Sequence, residues 1–310
     1  MKLFLLKSNK FFIFMIFMLF LAFTFGLSAA AEAGETLDDL HPGLSQGPLR
    51  HAGFDDFKDG LVLKAGEVQV TEKNLDDLVG PEKDAIRDQL RKNLLFVLDQ
   101  HVMRLLLKDE ADRAGIPESL PEEEAVGMLF EKKVVSVTVE DSELKEAYEA
   151  AGEILGGASF EQVEETLRAY LLKEKQDLVV IAFLRSLGSD MEIMLDRSWT
   201  EKQAGAALDN PVDRARASGI PTLVEFGATG CKPCDMMQPI LEKLKNKYEG
   251  RLNVVFVHVG EEQILGARYG ITSIPVQAFF DASGREVNRH VGFFPEEELE
   301  KVLASMGIES

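Results

Sequence analysis

The chain has two cysteines in 310 residues, Cys231 and Cys234, and they stand where a strand-like run gives way to an amphipathic one. "PTLVEFGA" is rich in β-branched and aromatic residues and reads as a strand. "CKPCDMMQPILEKLKNKYEG" reads as a helix stopped at Gly250. A C-x-x-C at such a junction has few uses. As a staple it closes a loop so short that it is worth only about 2 kcal/mol, against about 4.7 for a hundred-residue loop. As half of a structural zinc site it lacks the rest of a tetrahedral ligand set. No second cysteine pair exists, and His41, His51, His101, His258 and His290 are scattered, so no metal is expected. A reactive pair explains more. The first sulfur would sit at a helix N-terminus, where N–H groups and the dipole favour thiolate. Lys232 adds a cation, Pro233 suits an early helical position, and the second sulfur lies one turn in, close enough to attack a mixed disulfide.

The run from about Asn210 continues with "LNVVFVHV", a buried-looking strand, a short helix "EEQILGARYG", a hairpin "VQAFFDASGREVNRHVGF" turning at Ser283-Gly284, and a last helix opened by Pro295. That order implies an α/β fold with a central mixed sheet flanked by helices.

Residues 201–310 resemble a thioredoxin-like domain through "LVEFGATGCKPCDMMQPILEKL", "ARYGITSIPVQAFFDASGREV" and "HVGFFPEEELEKVL". The resemblance implies a thiol–disulfide oxidoreductase with no cofactor beyond a redox-active Cys231–Cys234 disulfide. Cys231 matches the nucleophile and Cys234 the resolving thiol. Glu225 matches the buried acid behind them, and Pro275 the cis-proline facing the sulfurs. Gly230, Ile274 and Gly292 match substrate-contacting positions. Four departures stand out. Gly227 and Gly230 occupy positions that usually carry tryptophan. Lys232 replaces a glycine. Phe256 stands where a lysine commonly pairs with the acid, so Glu225 should be hard to ionise. Val276 replaces a threonine. A solvated strand end remains the plainer reading of Glu225. Lys232 is expected to lower the Cys231 pKa and make the disulfide somewhat more oxidising.

The N-terminus carries Lys2, Lys7 and Lys10, an uncharged apolar run from Phe11 to Leu27, and "SAAAEA". This reads as a signal peptide, residues 1–31, with the mature chain starting near Glu32 or Gly34. Export places the chain in the periplasm or outside the cell, where disulfides persist. An uncleaved segment would instead anchor it in the membrane. Losing the three lysines takes the formal charge from −19 to −22, which disfavours nucleic acid as a partner and serves solubility.

Residues 32–58 read as a linker. Residues 59–200 read as a mainly helical domain: a hairpin around Ala65-Gly66, a short helix capped by Thr71, and a long helix opened by Pro81 and stopped at Gly115. Two further helices precede a strand, "MEIMLD", that could return to the hairpin. Through "LKAGEVQVTEKNLDDLV", "RKNLLFVLDQHVMRLLLKDEADRAGI", "VTVEDSELKEAYEA" and "TLRAYLLKEKQDLVVIAFLRSL" this domain resembles the SurA-like N-terminal chaperone domain of periplasmic prolyl isomerases. The parvulin module has no room between Glu153 and Phe160, so isomerase activity is not expected. The resemblance implies binding of unfolded or partly folded exported proteins. The plainer reading is a spacer or dimerisation unit. The combined expectation is an exported oxidoreductase acting on protein thiols and disulfides, served by an unidentified membrane or soluble redox partner. The alternative is a chaperone or scaffold whose thioredoxin fold only binds.

Overall fold

A computed structural model describes residues 35–151 and 158–308; the expected signal peptide lies outside the described residues. The described chain forms two compact units, one of residues 35–99 and 192–308 and one of residues 100–191. This division differs from the boundary expected at 200.

The first unit holds two four-stranded sheets. In one, β2 (Leu61–Ala65) and β3 (Val68–Thr71) form a hairpin through Gly66, which takes a left-handed φ of 56°. Thr71 then starts α2 (Glu72–Val79) with a capping box shared with Asn74. β4 (Ile193–Asp196) pairs antiparallel with β2, as the sequence suggests, and parallel with β1 (Gly53–Asp55). The stretch read as a linker is therefore folded. It carries α1 (Leu37–Leu40), a 3-10 turn (Pro48–His51) and β1, and it buries Leu37, Leu44, Leu49 and Ala52. Its Gly and Pro content marks tight turns between buried apolar residues, not a loose tether.

The single long helix expected from Pro81 is two, α3 (Asp84–Lys92) and α4 (Leu94–Arg113). Asn93 breaks it at φ −124°, ψ 42°, and its side-chain amide donates to the Gln89 carbonyl at 2.8 Å. After β4 the chain runs directly into a further helix. Asp196 caps α8 (Arg197–Leu208) by accepting the Trp199 N–H at 2.8 Å, and the helix buries Trp199, Thr200, Gln203, Ala204 and Ala207.

The second sheet has the order β6-β5-β7-β8. β5 (Thr222–Gly227) is central and buried along its whole length. β6 (Asn253–His258) runs parallel to it, while β7 (Val276–Phe280) and β8 (Glu286–Val291) are antiparallel. β6 is the sheet's edge and only half-buried, although its sequence is buried-looking. On one face Leu223 and Phe279 pack with Met237, Leu241 and Leu244 of α10 (Lys232–Lys247) and with Leu299 and Leu303 of α12 (Glu296–Ser305). On the other face Val224, Phe226, Ala278 and Phe280 pack with Val212 of α9 (Pro211–Arg216) and Leu265 of α11 (Gln263–Arg268). The alternation along β5 thus sets Leu223, Glu225 and Gly227 on the α10 side.

The second unit is helical. Leu129 of α5 (Glu122–Val134), a helix the sequence reading did not place, packs with Ala111, Ile116 and Phe183. Leu144 of α6 (Asp141–Ala151) packs with Leu167 of α7 (Phe160–Ser186).

Asp99 on α4 holds the N-terminal segment of the first unit. Its Oδ1 accepts from Ser45 Oγ at 2.9 Å and from the Leu49 N–H at 3.1 Å. Burial raises its pKa to about 6, against the pull of those hydrogen bonds. A raised folded-state pKa gives stability that is present below the unfolded value and lost as pH rises to about 6. Asp99→Asn should therefore be more stable than the natural chain above that window, by on the order of 1–3 kcal/mol, and similar below it. Thermal melts across pH test this; a loss of stability at every pH would mean that the fold requires the carboxylate.

Candidate active site

β5 ends at Gly227, and the turn 228–230 carries the chain into α10. Gly230 adopts a left-handed φ of 79°, a conformation that glycine takes without a steric penalty. Cys231 is the N-cap of α10, Lys232 its first residue, and Pro233 follows where no N–H is needed. Cys231 and Cys234 form a disulfide with Cα atoms 5.2 Å apart. The Cys234 N–H points at Cys231 Sγ, 3.3 Å away. Cys231 is half-buried, whereas Cys234 is 2% exposed. The two sulfurs are thus unequal: one is reachable and lies on orphan helix donors, the other is shielded. Once reduced, that hydrogen bond and the helix terminus favour a thiolate at Cys231. Lys232 is exposed beside it.

The peptide bond between Ile274 and Pro275 is cis, and Pro275 is buried. The pairing of Phe226 with Val276 sets Pro275 at the end of β5 from which the cysteine turn departs. The Gly292 N–H donates to the Pro275 carbonyl at 2.8 Å. Gly292 has φ 99°, and a Cβ there would meet no atom within 4 Å, so the surface beside Pro275 is open. Ile274 is half-buried and Gly230 exposed.

Glu225 is fully buried, so it is not a solvated strand end. Burial pushes its carboxyl up to about 7, with the Gln277 amide pulling slightly the other way. Gln277 lies directly opposite on β7 and is also fully buried, yet no side-chain oxygen or nitrogen of either residue has a partner at good hydrogen-bond geometry. On the other side Phe256 of β6 pairs with Glu225. A Cβ at Gly227 would lie 2.9 Å from the Phe256 ring and 3.4 Å from Cys234 Sγ. Two of the departures seen in the sequence are therefore one adjustment: Phe256 leans over Gly227 beside Cys234, and the missing side chain at 227 leaves room for it. Sequence reasoning missed Gln277 and this coupling, because both depend on strand register. The alternation of polar Gln277 with apolar Val276 and Ala278 was the available signal.

Phe256→Lys would bring an ammonium opposite Glu225. Its carboxyl pKa should then fall from about 7 toward the ordinary range, as read by carboxyl-carbon NMR titration. An unchanged value would show that the ammonium stays in solvent.

The thioredoxin family model matches residues 205–305. The thioredoxin of Staphylococcus epidermidis is 39% identical over 95 residues, which are 31% of this chain and 89% of that protein. The thioredoxin of Staphylococcus aureus is 40% identical over 95 residues, again 31% and 89%. A solved structure of a thioredoxin mutant from Halobacterium salinarum NRC-1 is 29% identical, covers 31% of this chain and 81% of its own, and superposes with a TM-score of 0.29. Through the residues that carry Cys231 and Cys234, the chain belongs to the thioredoxin family.

Proposed function

We propose that this thiol–disulfide oxidoreductase is exported, that Cys231 attacks and Cys234 resolves, and that the helical unit holds unfolded protein for them. The observation that carries the chemistry is the inequality of the sulfurs: Cys231 is reachable at the helix N-terminus, and Cys234 is shielded behind it. In the reducing direction the Cys231 thiolate attacks one sulfur of a substrate disulfide. The substrate bond breaks, one substrate thiolate leaves, and a mixed disulfide forms. Cys234, as thiolate, then attacks Cys231 Sγ and expels the second substrate thiolate. The substrate gains two electrons and two protons, and the Cys231–Cys234 bond re-forms. The reverse sequence oxidises a dithiol.

Glu225 has a pKa near neutrality and lies on the α10 side of β5, two residues from the glycine on which Cys234 packs. It is suited to take the Cys234 proton and return it. The cis-Pro275 and the open surface at Gly292 form the place for an extended substrate segment, with Ile274 and Gly230 at its margins. Lys232 favours the thiolate through space, and salt screens it.

The basic N-terminus, apolar run and small-residue exit support export to the periplasm or beyond. Among the described residues no helix is long and apolar enough to cross a membrane. Chain binding by the helical unit rests on its SurA-like sequence pattern and on apolar side chains left in solvent. Val135, Leu178 and Ile181 are 82%, 57% and 43% exposed, and Leu178 lines a shallow recess with Val137, Thr138 and Val179. Such surface suits transient contact with unfolded segments.

Tethering a substrate raises its effective concentration at the sulfurs. In the full chain, replacing Leu178 and Ile181 together by Ser should slow exchange with a scrambled protein roughly tenfold below saturation. Exchange with a small aromatic disulfide should be unchanged. Equal rates with the scrambled protein would leave the helical unit a spacer or dimerisation element.

A further inference from the structure

His258, the last residue of β6, reaches across to the turn that enters the cysteine motif. Its Nε2 accepts the Thr229 N–H at 3.0 Å and lies 3.1 Å from Thr229 Oγ1. A ring nitrogen that accepts a backbone N–H carries no proton, so the neutral imidazole has its proton on Nδ1. Nδ1 is buried and has no partner. The ring is held in place. The His258 backbone pairs with Gly227, and its carbonyl receives the N–H groups of Glu261 and Glu262, each at 2.9 Å. A Cβ on Gly260 would come within 3.1 Å of the ring, so glycine there makes room for it. The turn has little else to fix it. Its own closing bond, Cys231 N–H to the Ala228 carbonyl, is long at 3.4 Å, and Gly230 has no side chain to pack.

We propose that neutral His258 is a positioning residue of the redox site. It tethers the turn at Thr229 and so keeps Cys231 at the N-cap of α10, where the Cys234 N–H meets its sulfur. Protonation puts an N–H on Nε2 facing the Thr229 N–H. Donor then meets donor, and the tether is lost.

The inference rests on Cys231 being the attacking thiol, and the test separates the two. The reduced full chain is alkylated with iodoacetamide at one pH above neutrality, with mass spectrometry locating the label, in the natural chain, His258→Gln and His258→Leu. His258→Gln, whose amide oxygen can still accept from Thr229, should keep the natural rate. His258→Leu should be slower by roughly fivefold, the worth of one neutral hydrogen bond. A natural rate in His258→Leu, or a rate in His258→Gln as low as that of His258→Leu, overturns the positioning role. Label on Cys234 in place of Cys231 overturns the assignment on which it rests.

Discussion

Asp213 is buried, with both carboxylate oxygens committed. Oδ1 accepts from Tyr269 Oη at 2.6 Å and Arg216 Nη1 at 3.0 Å; Oδ2 accepts from Arg268 Nη2 at 3.1 Å and Asn210 Nδ2 at 2.6 Å. The two cations reach outward. Arg268 donates to Asn93 Oδ1 between α3 and α4 and to the Ala207 carbonyl of α8. Arg216 donates to the Gly284 carbonyl in the β7–β8 turn and to the Pro42 carbonyl. Burial, and then the Asp213 charge, raise the Tyr269 phenol, so it stays a donor. Removing one member of such a cluster strands a buried charge at a cost of about 3–5 kcal/mol. One carboxylate thereby ties the segment around residue 42, the α3–α4 break, α8, α9, α11 and the second sheet together. Together with the pairing of β4 with β1 and β2, this joins residues 35–99 and 192–308 in one unit, with a thioredoxin-family domain built into something larger.

The cluster bears on the redox site through the sheet. Tyr269 packs on Phe226 and Phe280, with ring centroids 5.3 and 6.0 Å away, and so steadies β5 from the side opposite α10. On the α10 side the strand carries Glu225 and ends in Gly227, behind Cys234. Gln89 of α3 reinforces the same region: its Nε2 donates to the Glu261 carbonyl and its Oε1 accepts the Ile264 N–H. The turn after β6, and with it the strand carrying Phe256 and His258, is therefore braced by N-terminal residues outside the family match.

The sequence shows the chemistry more readily than the frame around it. Cys231, Cys234, Pro275 and Gly292 stand in a motif order that reports a strand, a helix N-terminus and a proline-led strand, all local signals. The β2–β3 hairpin, the Thr71 cap and the return of β4 were also legible, since turn residues and alternation are short-range. What escaped the sequence is non-local. α8 raises little hydrophobic signal, because its buried residues include Thr200, Gln203 and Ala204. Residues 35–58 look loose because their order comes from Asp99, half a hundred positions away. The contact of the Phe256 ring with Gly227, and the pairing of Glu225 with Gln277, need the register of β5 with its neighbours. The kinship of the helical unit remains a matter of sequence pattern.

The redox chemistry turns on one asymmetry, that the reachable sulfur attacks and the buried one resolves. Trapping tests it most directly. The full chain carrying Cys234→Ser is incubated with a disulfide-bonded protein, and adducts are mapped by peptide mass spectrometry without reductant. A stable mixed disulfide on Cys231, absent from the natural chain because Cys234 resolves it, is the predicted result. Adducts that accumulate only when Cys231 is replaced, and form on Cys234, would contradict it.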